Sequence, residues 1–240
     1  PKKTTPEGIA DALSQLEGAF SMVFLTGDYL IAVRDPAGIR PLGITGSPEE
    51  GYVVASESCA FDLLGYEAGR SLKPGEMIII DRNLKMESFF PFRDMQPAPC
   101  IFEFIYFSRP DSRVFDTNVD KIRRRMGTKL AEEQPADADL VISVPDSSNT
   151  AALGYARRSG IPFELGLIRN HYIGRTFIQP RQAIREFGAR VKYNPVKGVM
   201  DGKRVVVDDS IVRGTTSRAL ISILREAGAR EVHMRIASPP

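Results

Sequence analysis

Cysteine is scarce in this chain, with two in 240 residues. Cys59 and Cys100 cannot build a disulfide framework, so a reducing compartment, the cytoplasm, is expected. Long apolar runs are missing as well. None approaches the roughly 18–20 residues that span a bilayer, and no secretory signal is visible, so no membrane role is expected. There is little excess charge of either sign: 32 basic side chains face 30 acidic ones, a net of +2. No basic run marks a nucleic-acid-binding or membrane-binding surface. The densest cluster, Arg123-Arg124-Arg125, falls in a helical pattern and reads as a solvated face. What is present is ordinary soluble composition, 42% hydrophobic and 26% charged, enough for one large domain or two small ones. The first residue is Pro1 and the last two are Pro239-Pro240, and both ends are expected to be cuts from something longer.

Periodicity divides the chain. Residues 5–17 read as a helix with Thr5 as cap, Pro6 in the first turn, and Ile9, Leu13 and Leu16 on one face. Strand-like runs follow at Ala19–Thr26, Tyr29–Val33, Leu42–Thr45 and Tyr52–Ala55, the first two joined by a Gly27-Asp28 hairpin signal. A short helix over Glu57–Leu64 stops at Gly65. Glu76–Asp81 and Leu84–Phe90 read as a second hairpin, so this half is antiparallel in character. Pro91, Pro97 and Pro99 then mark a boundary, which gives domains over 1–92 and 93–240.

Beyond the prolines, strands and helices alternate. Val119, Ile122, Met126 and Leu130 share a helical stripe. Leu140–Val144, Phe163–Ile168, Val205–Val207 and Val232–Ala237 read as strands, with helices over Ser148–Arg158 and Thr216–Ala227. This rhythm predicts an α/β domain with a mainly parallel sheet and helices on both faces, after an α+β first half. Residues 170–200 break it. They hold Arg175, Arg181, Arg185, Arg190, Lys192 and Lys197, and read as a flap over a phosphate-rich ligand.

The richest motif is Val205-Val206-Val207-Asp208-Asp209-Ser210-Ile211-Val212-Arg213-Gly214-Thr215-Thr216. An apolar strand ends in two acids, and a small hydroxyl-rich turn opens into a helix. Carboxylates at a strand tip can hold sugar hydroxyls or Mg²⁺, while amides at a helix N-terminus hold phosphate. Burying adjacent carboxylates costs several kcal/mol unless donors or a cation compensate. The simpler alternative is a helix cap beside a solvated acid. Pro145-Asp146-Ser147-Ser148 forms a second turn at a strand's carboxyl end, the edge where open α/β sheets bind ligands. Ser147 or Ser148 can also serve as a plain cap.

These residues resemble the 5-phosphoribosyl-1-pyrophosphate (PRPP) loop of type I phosphoribosyltransferases. Asp208 to Thr216 in full resembles the glutamine phosphoribosylpyrophosphate amidotransferase (amidophosphoribosyltransferase) family. So do Arg34-Asp35-Pro36-Ala37-Gly38-Ile39-Arg40-Pro41-Leu42, Ala55-Ser56-Glu57-Ser58, Phe102 through Ser112, and Gly174-Arg175-Thr176-Phe177-Ile178. The resemblance implies the later half of an N-terminal-nucleophile (class II) glutaminase domain followed by a type I phosphoribosyltransferase domain. It implies formation of 5-phosphoribosylamine from PRPP and glutamine at the opening of purine biosynthesis. Ser210, Ile211, Val212, Arg213, Gly214, Thr215 and Thr216 would hold the 5′-phosphate. Asp208 and Asp209 would face the ribose hydroxyls and Mg²⁺, with Ser147 on the metal side. Tyr172, Gly174, Arg175 and Thr176 would lie in a closing loop, and His171 would be peripheral.

The family's nucleophile is an N-terminal cysteine, which Cys59 and Cys100 cannot replace. By that comparison the chain could at most use free ammonia. Cys100 matches a position that ligates a [4Fe–4S] cluster in some members, and the alternative is a buried apolar thiol. Cys59 reads as core. The resemblance also implies purine nucleotides as feedback inhibitors and a homotetramer. The apolar run before Asp208 is one residue shorter than is usual in relatives, a loss that is either absorbed near Gly202 or displaces the carboxylates. Two other functions compete with this reading. A regulator of RNA or transcription on the same fold would need a basic face. A nucleobase salvage phosphoribosyltransferase would need no glutaminase-like half.

Overall fold

A computed structural model describes residues 5–67, 69–170, 192–208 and 215–238, with the side chains of 215 and 216 outside that description. The chain forms two compact units, Pro1–Val119 and Asp120–Pro240.

In the first unit, helix α1 spans Pro6–Leu13, and the Gly8 amide donates to the Thr5 hydroxyl at 3.2 Å. The helix is shorter than the sequence suggests. It ends at Leu13, and Leu16 is 48% exposed instead of lying on the buried face. Strands β1 (Ser21–Leu25), β2 (Tyr29–Arg34), β3 (Gly43–Ser47) and β4 (Gly51–Ala55) precede helix α2 (Cys59–Leu63), and β5 (Arg70–Ser71), β6 (Met77–Asp81) and β7 (Met86–Phe89) follow it. All pair antiparallel, in two sheets ordered β1-β2-β6-β7 and β4-β3-β5.

The two-residue side-chain period sorts the core. Ile31, Val33 and Met77 face α1, packing with Ile9, Leu13 and Phe20. Ala32, Ile78 and Ile80 face the other way, onto Leu42, Ile44 and Leu72 of the second sheet layer. Side chains close both predicted hairpins. The Thr26 hydroxyl accepts from the Asp28 and Tyr29 amides, and Asp81 accepts from Asn83 and Lys85.

Two buried charges hold this unit from within. Arg34, 4% exposed, donates to the carbonyls of Arg40, Leu72 and Gly38. Glu76, 2% exposed, accepts from Arg70 with both oxygens and from the Lys73 amide and the Ser88 hydroxyl. Burial pushes the Glu76 carboxyl up, but these donors outweigh it and leave it below its usual range.

The segment 93–119 belongs to the first unit. Ala98 and Cys100 donate backbone hydrogen bonds to Ala37 and Ile39. A π-helical turn, Glu103–Phe107, and a small hairpin of β8 (Arg113–Val114) and β9 (Thr117–Asn118) follow.

The second unit comprises α3 (Val119–Glu133), β10 (Leu140–Ser143), α4 (Asn149–Ser159), β11 (Leu167–Arg169), β12 (Tyr193–Pro195), β13 (Arg204–Asp208), α5 (Thr215–Glu226) and β14 (Glu231–Arg235). The sheet order is β10-β13-β14, all parallel. Leu140, Ile142, Val205 and Val207 pack against Leu220, Ile223 and Leu224 of α5. On the other face, Val141 and Val206 pack against Ala131, Ala152, Tyr155 and Ala156 of α3 and α4. Helices therefore cover both faces, as the alternation predicts. β13 keeps continuous register with both neighbours up to Asp208, and Val205, Val206 and Val207 are fully buried.

Two expectations are corrected here. The strand foreseen over Phe163–Ile168 is instead Leu167–Arg169. It leaves the sheet to pair antiparallel with β12, and only Phe163 bridges to Val141. Arg123 is 3% exposed, so the Arg123–Arg125 cluster is not a wholly solvated face. α3 turns that side inward, while Arg124 pairs with Asp120 outside.

Helices α3 and α4 meet through glycine. A Cβ on Gly127 would stand 1.8 Å from the Ala151 carbonyl oxygen, and one on Gly154 would stand 2.1 Å from that of Arg124. Gly127→Ala is expected to lower the unfolding free energy by about 1–3 kcal/mol in urea titration. At the start of β13 the Arg204 fork grips Asp139 and Asp137. Its side-chain hydrogen bonds, with that of the Arg204 amide, pull the Asp139 carboxyl from 3.8 to about 2. A depressed folded pKa stabilises above the unfolded value of about 4 and is lost as pH falls. Wild type should therefore lose stability relative to Asp139→Asn as pH falls from about 4 through 2, with the two acid-titration curves converging only below about pH 2.

Candidate functional site at the carboxyl edge of the parallel sheet

The sequence-predicted turns come together at one edge. Ser143, the last residue of β10, pairs with Asp208, the last of β13. The Pro145–Ser148 turn therefore emerges beside the acidic strand tip. The chain re-enters as α5 at Thr215 and returns to β14, which is parallel to β13. That topology puts the α5 N-terminus at the same edge, and helix N-terminal amides favour an anion. Asp209, Ser210, Ile211, Val212, Arg213 and Gly214 lie outside the described residues, as do His171, Tyr172, Gly174, Arg175 and Thr176 of the proposed loop. Thr215 and Thr216 are placed by backbone only.

Asp208 is 4% exposed, and one carboxylate oxygen accepts from the Ala237 amide at 2.9 Å. That bond reaches from β13 to the chain beyond β14. It commits one oxygen of Asp208 to the scaffold. Ser147 is half-buried, and its hydroxyl has no partner among the described residues. Ser148 stands at the cap position of α4 without a side-chain capping bond. The capping alternative thus holds for its position but not for its hydroxyl. The Pro145–Asp146 peptide is cis. Asp146 is paired with Arg169 at 2.9 Å, which ties the turn to β11.

Sequence reasoning passed over three residues here. The Ser143 hydroxyl donates to the Asn149 side chain at 2.7 Å, bracing the turn from within. Thr150, in the first turn of α4, has a buried hydroxyl without a partner among the described residues. Only the position of Ser143, Asn149 and Thr150 beside the Pro-Asp-Ser-Ser turn could have flagged them. β11 and β12 form the neck from which residues 171–191 depart, closed by the Asn170 amide bonding to the Lys192 carbonyl.

The oxygen donors at this edge suit a hard cation such as Mg²⁺. The two cysteines of this chain could supply at most part of the ligand set of an iron–sulfur cluster. Cys59 and Cys100 are both free and partly exposed, and a cluster needs four ligands. Cys59 is thus not fully core.

A two-sheet antiparallel unit followed by a parallel sheet with this edge defines a class, in which a glutamine amidotransferase-type unit precedes a phosphoribosyltransferase-type unit. Comparison with known proteins agrees. The family described as "Glutamine amidotransferase domain" matches residues 2–62. Amidophosphoribosyltransferase 1, chloroplastic, of Arabidopsis thaliana is 56% identical over 97% of this chain and 41% of its own length. Amidophosphoribosyltransferase of Bacillus subtilis is 53% identical over 99% of this chain and 50% of its own. The solved B. subtilis glutamine PRPP amidotransferase, in complex with ADP and GMP, superposes with a TM-score of 0.89 at 49% identity, covering all of this chain and 53% of that one. The chain is similar to the amidophosphoribosyltransferases along nearly its whole length, and it spans about half of theirs.

Asp208→Ala removes the acceptor of the Ala237 amide, and is expected to cost about 1–3 kcal/mol of unfolding free energy. Ser147→Ala should cost under about 0.5 kcal/mol. Parallel denaturant titrations of the two variants check the division between scaffold and ligand-facing residues.

Proposed function

We propose that this chain carries the phosphoribosyl-transfer site of an amidophosphoribosyltransferase, which forms 5-phosphoribosylamine from PRPP and glutamine-derived or free ammonia. The observation that carries this reading is the meeting of the Asp208 strand tip, the Pro145–Ser148 turn and the α5 N-terminus at one sheet edge. A salvage phosphoribosyltransferase would leave the first unit without a role.

In this reading residues 210–216 hold the 5′-phosphate through backbone amides, Asp209 takes the ribose hydroxyls, and Asp208, anchored by the Ala237 amide, braces that turn. Ser147 faces the pyrophosphate. Ser147, Asp208 and Asp209 would hold Mg²⁺, which would supply charge neutralisation for a pyrophosphate leaving group. Ammonia is itself a competent nucleophile, so the protein supplies position, charge stabilisation and dryness instead of a nucleophile. Tyr172, Gly174, Arg175 and Thr176 sit in the loop that excludes water. By the same resemblance, purine nucleotides are feedback ligands, the assembly is a homotetramer and the location is cytoplasmic. No helix among the described residues is long and apolar enough to cross a membrane. A Cys100-ligated cluster would need cysteines beyond the two in this chain.

Ammonia- and Mg²⁺-dependent phosphoribosylamine formation tests the reading. Asp209→Asn should lower the rate by at least about tenfold with the fold intact. Equal rates in variant and wild type would overturn the assignment.

A further inference from the structure

One element at the sheet's carboxyl edge has no part in the ligand contacts above: the exit of β14. Asp208 ends β13, and in the parallel register it lies level with Ser143 of β10 on one side and Arg235 of β14 on the other. Side chains alternate along a strand. Val205 and Val207 face α5, while Val206 and its neighbour Val141 face α3 and α4. Ser143, Asp208 and Arg235 therefore form one polar row on the α3–α4 face, two positions beyond Val141 and Val206.

Each member of the row is held by a different neighbour. Ser143 donates to Asn149 at the start of α4. Arg235 reaches past the end of α3. Its Nε donates to the Gln134 carbonyl at 2.9 Å, its Nη2 to the Pro135 carbonyl at 3.1 Å and its Nη1 to the adjoining Met234 carbonyl at 3.0 Å. The Gln134 carbonyl also accepts from the hydroxyl of Tyr155, a fully buried residue of α4, at 3.0 Å. The last residue of β14 is thus fastened to α3 and, through Gln134, to α4. Two residues later the chain presents the Ala237 N–H to Oδ1 of Asp208 at 2.9 Å. A carboxylate as buried as Asp208 takes its direction from the donors the scaffold supplies.

We propose that Arg235 and Ala237 are positioning residues for Asp208. Arg235 fixes the path of the chain out of β14, and the Ala237 N–H then sets the direction of the carboxylate at the strand tip. The inference rests on the phosphoribosyl-transfer reading above, in which Asp208 is a Mg²⁺ ligand. Neither residue touches a reacting atom. They act as hydrogen-bonded partners of a ligating carboxylate act, by orienting it before the cation arrives. The donor at 237 is backbone, so a side-chain change there is silent and only loss of the N–H itself is felt.

The test titrates Mn²⁺ by electron paramagnetic resonance at saturating PRPP, in the protein expressed from its complete reading frame. Wild type is compared with Ala237→Pro, which has no N–H to donate, with Ala237→Gly, which keeps it, and with Arg235→Ala. Half-saturating Mn²⁺ should rise at least about tenfold in Ala237→Pro, the scale on which lost partners of metal ligands are felt, and stay within about twofold in Ala237→Gly. Arg235→Ala should fall between the two. Unchanged Mn²⁺ affinity in Ala237→Pro or in Arg235→Ala, or an equal loss in Ala237→Gly, overturns the proposal. Should Ala237→Pro not fold, Arg235→Ala against Ala237→Gly decides by the same titration. A wild type that binds no PRPP, or binds it without taking up Mn²⁺, would instead overturn the underlying reading.

Discussion

The structure depends on the pairing of β10 with β13. Both strands are almost entirely aliphatic and filled on both faces, so neither can slide or rotate without exposing its core. That pairing brings Ser143 level with Asp208. It determines which turns share an edge and where the chain must leave to make its next helix. The polar residues at the edge depend on it: the Ala237 amide on Asp208, Arg169 on Asp146, and Asn149 on Ser143. Each braces a turn whose starting point the apolar strands have already set.

The first unit is held by different physics. Its sheets present alternating side chains to two separate layers, and its charged residues are largely internal staples. Arg34 satisfies three carbonyls and Glu76 gathers four donor groups. Residues that look like functional motifs in the sequence are here part of how the unit holds itself together. A buried charge with every neighbour satisfied fixes geometry, and its presence says little about chemistry.

Much of this was legible in the chain itself, because period and punctuation carry it. The hairpins at Gly27-Asp28 and after Asp81, the cap at Thr5, the antiparallel first half and the parallel second half all follow from local patterns. Other features do not. Leu16 continues a helical stripe, but α1 stops three residues earlier. Arg123 looks like one of three equivalent arginines until α3 is placed against its neighbours. The glycine contacts of α3 with α4, and the departure of Leu167–Arg169 from the sheet, are decided by close approach in space. At the site, the strand tips were readable from their acids and turn residues. The anchoring of Asp208 by an amide 29 residues away was not.

The most direct measurement is an anomalous difference map from crystals grown with PRPP and Mn²⁺ in place of Mg²⁺. The account predicts a metal peak at the carboxyl edge, within coordination distance of an oxygen of Asp208, Asp209 or Ser147, with the ligand's 5′-phosphate against the amides that open α5. A fully occupied ligand bound elsewhere, with that edge empty, would contradict it.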